Sequence, residues 1–186
     1  MFYQIAALLL HVAAGLVAGV CLLRLYLQSQ SISMAARAGN PLGPFIFATT
    51  DWLVLPLRRV LPAMRRWDSA SLVAAYLVEL ALYAILWLLQ GALGSGLAVL
   101  WQALLGLVRL ALSGATGLLI VYVVLSWVQS SSPMVALIER VVAPWLRPIR
   151  RKVPLLGGVD LSPLVLLIVL QIAGIVVDTF AAGAVR

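Results

Sequence analysis

Four long apolar runs, separated by segments where charge and proline collect, organise this chain. They cover about Phe2 to Leu27, Ser71 to Leu89, a stretch within Leu97 to Trp127, and Leu161 to about Ala182. Each supplies the roughly 20 apolar residues a helix needs to cross about 30 Å of hydrocarbon. The third run is longer than one crossing requires, reaching roughly 46 Å at about 1.5 Å per residue. Either it tilts and overhangs the membrane, or its first turns form a separate surface helix. The cluster Gly91, Gly94, Ser95 and Gly96 marks the turn before it.

Two shorter stretches, Leu42 to Leu55 and Met134 to Leu146, are mostly apolar with polar breaks at Thr49, Thr50, Asp51, Glu139 and Arg140. Too short to span, they are predicted to lie in the membrane interface as helices, with Pro44 and Pro144 disturbing their regularity. Asn40-Pro41 and Ser132-Pro133 predict a helix N-cap followed by proline at the first helical position.

Composition turns these runs into a membrane assignment. Of 186 residues, 64% are hydrophobic and 10% charged, where a soluble domain has about 45–50% and about 25%. The N-terminal run lacks a basic leader and exceeds the roughly 7–15 residues of a signal-peptide core, so it reads as a retained helix. The lone Cys21 sits in an apolar run, excludes an intramolecular disulfide, and reads as packing.

A net charge of +7 would suggest nucleic acid if it were spread over a soluble surface. Here it is confined. Arg37, Arg58, Arg59, Arg65 and Arg66 lie between the first two runs, and Arg140, Arg147, Arg150, Arg151 and Lys152 lie between the last two. The connection from Gln90 to Gly96 carries none. With four crossings both basic segments fall on one side, which the positive-inside rule makes cytoplasmic, and both termini face outward. Tyr3, Tyr26, Trp87, Trp101 and Trp127, near helix ends, are expected in interfacial belts.

The chain also resembles itself. A shift of 92 residues brings Asn40-Pro41 onto Ser132-Pro133, Pro56-Leu57-Arg58-Arg59 onto Pro148-Ile149-Arg150-Arg151, Pro62 onto Pro154, and Asp68 onto Asp160. Leu72 meets Leu164 and Glu79 meets Gln171. Recurrence of a whole Pro-x-Arg-Arg-x-x-Pro heptad with its flanks indicates duplication. Residues 1–96 and 97–186 are expected to be two copies of one module within one membrane domain. Each heptad is expected to end the interfacial helix and present two adjacent guanidinium groups at headgroup depth. Asp68 and Asp160 then stand before the return helices, where negative charge favours an N-terminus.

These motifs resemble the YggT family of bacterial membrane proteins, which has chloroplast relatives. The second copy carries the pattern at Ser126-Trp127, Pro144, Pro148, Arg150, Arg151, Pro154, Gly157, Gly158, Asp160, Ser162 and Pro163. The first keeps Asn40, Pro41, Pro56, Arg58, Arg59, Pro62 and Asp68, but has Ala70-Ser71 where the family has Ser-Pro. The family's arginine near the end of the first helix is here Arg24, its place in the second copy being held by about Tyr122. The resemblance implies a role in tolerance of osmotic shock and ion imbalance, with relatives linked to cell division, nucleoid distribution and cytochrome cofactor assembly.

Candidate chemistry is sparse. There is one histidine, no phosphate-binding glycine loop and no nucleophile elbow, so no catalytic residue, metal or cofactor is implied. Arg58, Arg59, Arg150 and Arg151 are the binding candidates, because guanidinium forks suit anionic headgroups. The plain alternative is that they set topology only. Glu79 and His11 fall at similar depth and are expected to hydrogen-bond as a clasp between neighbouring helices, the functional alternative being a proton or cation site, with Gln171 in the equivalent place of the second copy. Arg24 is expected to snorkel. Arg109 must either snorkel outward or find a buried partner. Gly15, Gly19, Gly106, Gly114 and Gly117 are expected to permit close helix contacts.

The expected protein is therefore an all-α membrane protein: four transmembrane helices in two tandem repeats, each with a cytoplasmic interfacial helix and a basic loop. It is expected to act without catalysis, through anionic lipid or a protein partner, with a homo-oligomer as a further option. The alternatives are an oligomeric ion channel or transporter using Glu79 and Arg109, and an assembly factor for another membrane complex.

Overall fold

The computed structural model describes residues 1–34, 40–61, 68–92, 95–128, 132–153 and 160–183. Six helices follow one another: α1 (Phe2–Ser29), α2 (Gly43–Val60), α3 (Ser69–Leu89), α4 (Gly96–Val128), α5 (Pro133–Arg150) and α6 (Ser162–Gly183). Among the described residues α1, α3, α4 and α6 are long and apolar enough to cross a membrane, and there is no strand. Much of their apolar surface points outward: Leu8, Leu16, Ile168 and Ile175 are all more than half exposed. In water that would be untenable; in a bilayer it is the surface facing lipid.

The tightest seam joins α1 to α3. Ala18, Cys21, Ala70, Ala74 and Ala75 are fully buried there, and their small side chains let the two backbones approach closely. At the far end of the seam Gln90 Nε2 donates to the Tyr3 hydroxyl. α4 packs against both α3 and α6 and touches α1 along one side. α2 leans on α1 and α3, and α5 on α4 and α6. Leu27, Ile46, Leu137 and Val141 form one buried cluster, so α2 and α5 meet beneath the same end of the bundle. This is called the basic end below.

Three expectations need correction. First, each heptad does contain the end of its helix, at Val60 and Arg150, but its leading proline sits inside the helix and breaks nothing. α2 continues through Pro56 to Val60, and α5 continues through Pro144 and Pro148 to Arg150. Interior proline costs about 3 kcal/mol, but Val54 beside Pro56, and Val141, Val142 and Leu146 around Pro144, are buried against the bundle. Tertiary packing, which supplies most helical stability in proteins, holds these helices together. Second, Asn40 is not an N-cap. Its Oδ1 accepts from Leu42 N at 3.0 Å and its Nδ2 donates to Ser33 O at 3.1 Å, making a turn before the helix. α2 then starts at Gly43, with Pro44 in the first turn where its missing N–H costs nothing. Ser132 does cap α5: its Oγ accepts from Val135 N at 3.3 Å, with Pro133 as the first helical residue.

The third correction concerns the glycines. Gly106 sits under close contact, but a Cβ at Gly19, Gly114 or Gly117 would meet nothing within 4 Å. α1 and α4 enclose a groove of about 800 Å³ lined by Gly15, Gly19, Ala111, Gly114 and Trp145. Alanines, not glycines, make the closest seam.

The long third run is one helix, α4. Tyr76, in the first half of α3, donates to Leu100 O at 3.2 Å near the beginning of α4. The first turns of α4 therefore lean across the side of α3.

Candidate functional site

Polar side chains gather in two layers, one at the basic end and one in the opposite half of the bundle. At the basic end, Arg24 on α1 is 1% exposed. It does not snorkel. Its Nη1 donates to Asp51 Oδ1 at 2.6 Å and to Thr50 Oγ1 at 2.5 Å, and its guanidinium lies 5.1 Å from the Phe47 ring centroid. The polar break in α2 at Thr50 and Asp51 is thus the seat of a buried cation. Asp68, the N-cap residue of α3, is fully buried. It accepts from Arg58 Nη2 at 2.5 Å and from Ser71 Oγ at 2.6 Å, with Arg24 Nε at 3.8 Å. Two guanidinium groups face two carboxylates, so the cluster closes electrically. Burial alone would raise the Asp68 carboxyl; the hydrogen bonds from Arg58 and Ser71 outweigh it and hold the group below its ordinary value.

The same pair of positions, one period further on, makes the same contact. Arg150 Nε donates to Asp160 Oδ2 at 2.8 Å, and Arg150 Nη2 donates to the Tyr122 hydroxyl at 2.9 Å. Asp160 Oδ1 also accepts from Ser162 N at 2.9 Å, at the start of α6 beside buried Pro163. A neutral phenol, Tyr122, joins this pair, where the first cluster has a second cation, Arg24. This pair is more open, its side chains 42% and 30% exposed against 33% for Arg58 and 0% for Asp68. Burial again pushes the Asp160 carboxyl up, and the hydrogen bonds from Ser162 and Arg150 bring it below its ordinary value.

Arg58 and Arg150 are thus turned onto carboxylates, not presented to headgroups as a pair with their neighbours. Arg59 and Arg151 are exposed. So are Lys152, just past the end of α5, and Glu139, Arg140 and Arg147, on a helix whose other face buries Leu137, Ile138, Val141, Val142 and Leu146. α2 differs. Its outward face presents Phe45, Trp52 and Leu55. Pro41 and Pro56 are exposed on the α2 side, and Pro133 and Pro148 on the α5 side. Pro62 and Pro154, the closing prolines of the heptads, lie outside the described residues.

The second layer draws on four helices. Glu79 on α3 is 4% exposed and faces Gly106 of α4: a Cβ at Gly106 would lie 2.8 Å from Glu79 Oε2 and 2.6 Å from Tyr83 Cε2. The expected His11–Glu79 hydrogen bond gives way to a different arrangement. His11 Nδ1 lies 2.8 Å from Ala7 O of its own helix, and its ring meets Tyr83 edge-on at 6.2 Å. Arg109 has a partner that sequence reasoning missed: its Nε donates to Asp178 Oδ1 on α6 at 2.7 Å. Gln171 is exposed on α6 and takes no part in this layer.

The comparisons with known proteins bear on both layers. The CCB3/YggT family model matches residues 3–89 and again residues 101–181. The chain belongs to the CCB3/YggT family. A relative named as the uncharacterized protein YggT of Escherichia coli K12 is 37% identical over 159 residues, covering 82% of this chain and 78% of that one. An uncharacterized protein from the proC 3' region of Vibrio alginolyticus is 36% identical over 159 residues, covering 83% of each. One from Pseudomonas aeruginosa is 34% identical over 168 residues, covering 88% and 83%. No solved structure matches. In this YggT-family chain, the two matched segments contain α1 to α3 and most of α4 to α6 respectively, and each includes one Arg–Asp pair.

Proposed function

We propose that this YggT-family protein is a non-enzymatic, multi-pass inner-membrane protein whose basic end binds anionic lipid headgroups, in support of osmotic and ion-stress tolerance. The observation that carries the reading is α5. Its apolar face is buried against α4 and α6, and its exposed face holds Arg140, Arg147 and Arg151, continued by Lys152. A helix pinned to the bundle in this way supports a reading in which its cations meet lipid phosphates, each contributing about 1 kcal/mol near an anionic surface. Arg59 extends the same surface from α2.

Arg58 and Arg150 then have a positioning role: each ties the end of an interfacial helix to the carboxylate that starts the next span. The two Arg–Asp pairs, the Asn40-Pro41 and Ser132-Pro133 turns, and the double family match together support reading residues 1–96 and 97–186 as copies of one module. The basic end is assigned to the cytoplasm and both termini to the outside on the positive-inside rule. A protein partner at the same basic surface, or an oligomeric ion pathway, are the competing readings.

The test is survival of a strain lacking the gene after hyperosmotic and salt shock. The wild-type gene restores survival, and Arg140→Gln with Arg147→Gln and Arg151→Gln restores it poorly at equal membrane abundance. Full rescue by that triple variant would reject the basic face of α5 as the working surface.

A further inference from the structure

The layer around Glu79 is not used by the lipid-binding reading. It nonetheless unites one carboxylate, one histidine, one tyrosine and one Arg–Asp pair from four spans. An ionisable group inside a bilayer is expensive and marks a functional position by default. Glu79 is 4% exposed, yet among the described residues no salt bridge cancels its charge as Arg58 cancels that of Asp68. The groups around it are Tyr83 from its own helix, which shares the contact at Gly106 of α4, and His11 from α1, whose ring meets Tyr83 edge-on. Among the described residues no group of three or more metal-ligating side chains includes Glu79, so the cation its chemistry fits is the proton.

Both ways along α3 the neighbours of Glu79 are buried, Ala74 and Ala75 on one side and Leu82 and Leu86 on the other. His11 is exposed, in the half of the bundle away from the basic end. Gly106 adds a mechanical consequence. The carboxylate and the Tyr83 ring occupy the space where any larger residue would put its Cβ, so α4 meets α3 at the atoms whose charge changes.

We infer that Glu79 is a reversible proton-binding site, exchanging with the far end of the bundle through Tyr83 and His11. Uptake transfers one proton from water to the carboxylate, and release returns it to water. A protonated His11 stabilises the charged form of Glu79.

Glu79 and Glu139 are the two glutamates of the chain. Glu139→Gln, on the exposed face of α5, leaves Glu79 as the sole carboxylate that isotope-labelled glutamate marks. The experiment is infrared spectroscopy of the labelled Glu139→Gln protein in sealed, uniformly oriented vesicles, titrated in pH on each side in turn. The expected result is a protonated-carboxyl band that disappears as pH on the far-end side rises and ignores the other side. His11→Gln should raise its midpoint by about one pH unit, and Gln171→Asn, on the exposed face of α6, should leave it in place. A shift in one variant and none in the other cannot come from a general loosening of the fold. A labelled band that never titrates, one that follows the basic side, or one whose midpoint His11→Gln does not move, overturns the inference.

Discussion

Asp68→Asn removes a negative charge that is itself shut off from water, and Asp160→Asn removes its counterpart, which is partly open to it. Asp68 is fully buried, touching Arg58 at 2.5 Å and Ser71 at 2.6 Å, with Arg24 at 3.8 Å. Without it Arg24 keeps Asp51 at 2.6 Å, but Arg58 loses its carboxylate and the cluster gains a net positive charge. Removing one partner of a buried pair costs about 3–5 kcal/mol. Arg58 is a third exposed and can turn partly outward, so about 3 kcal/mol is expected. Asp160 and Arg150 are 30% and 42% exposed, and solvent screening reduces their pair to about 0–1 kcal/mol. Equilibrium unfolding by SDS in mixed micelles, followed by tryptophan fluorescence, measures both. A gap of about 2–3 kcal/mol between the variants is expected from these two penalties. Equal losses, or a larger loss for Asp160→Asn, would refute the assignment of the first cluster as buried and the second as screened.

Acidification should act through the same residues. Asp68 and Asp160 are held below their ordinary values, so their stability is complete above the unfolded carboxylate pKa of about 4 and is lost as pH falls through the lower folded values. In thermal melts across that range, Asp68→Asn should flatten the acid limb more than Asp160→Asn. Gly43→Ala should cost about 3 kcal/mol, the upper end of overpacking penalties, because the new Cβ would lie 2.0 Å from Met34 O. Gly114→Ala faces open space and should leave the melting temperature unchanged or raised, since alanine is the better helix former. Tyr122→Phe removes a hydrogen bond to Arg150 and should cost about 0.5–1.5 kcal/mol in the same SDS assay.

The four spans were legible because apolar runs of that length have no other stable home. Their observed ends, Phe2–Ser29, Ser69–Leu89, Gly96–Val128 and Ser162–Gly183, fall within two residues of those read from the pattern. The interfacial helices were legible as elements but not in extent. Proline was weighed as a local breaker, and the buried faces that carry α2 past Pro56 and α5 past Pro144 and Pro148 are tertiary facts. The Arg–Asp pairs were visible as recurring letters without their mutual contact. Arg109–Asp178 was missed because the partners are 69 residues apart, and only the relative depth of α4 and α6 brings them together. One signal was available: Asp178 is the sole acidic residue of the last span, and a charge there calls for a partner. Asp51 was read as a polar break when it marks the partner of Arg24.

The central claim is that the exposed cations of α5 hold anionic lipid. The direct measurement is native mass spectrometry of the protein released from membranes with equal anionic and zwitterionic lipid, beside the Arg140→Gln, Arg147→Gln, Arg151→Gln variant. The account predicts that anionic lipid is retained in excess by the wild type and that the excess is lost in the variant. Retention without headgroup preference, or a preference that survives the three substitutions, would contradict it.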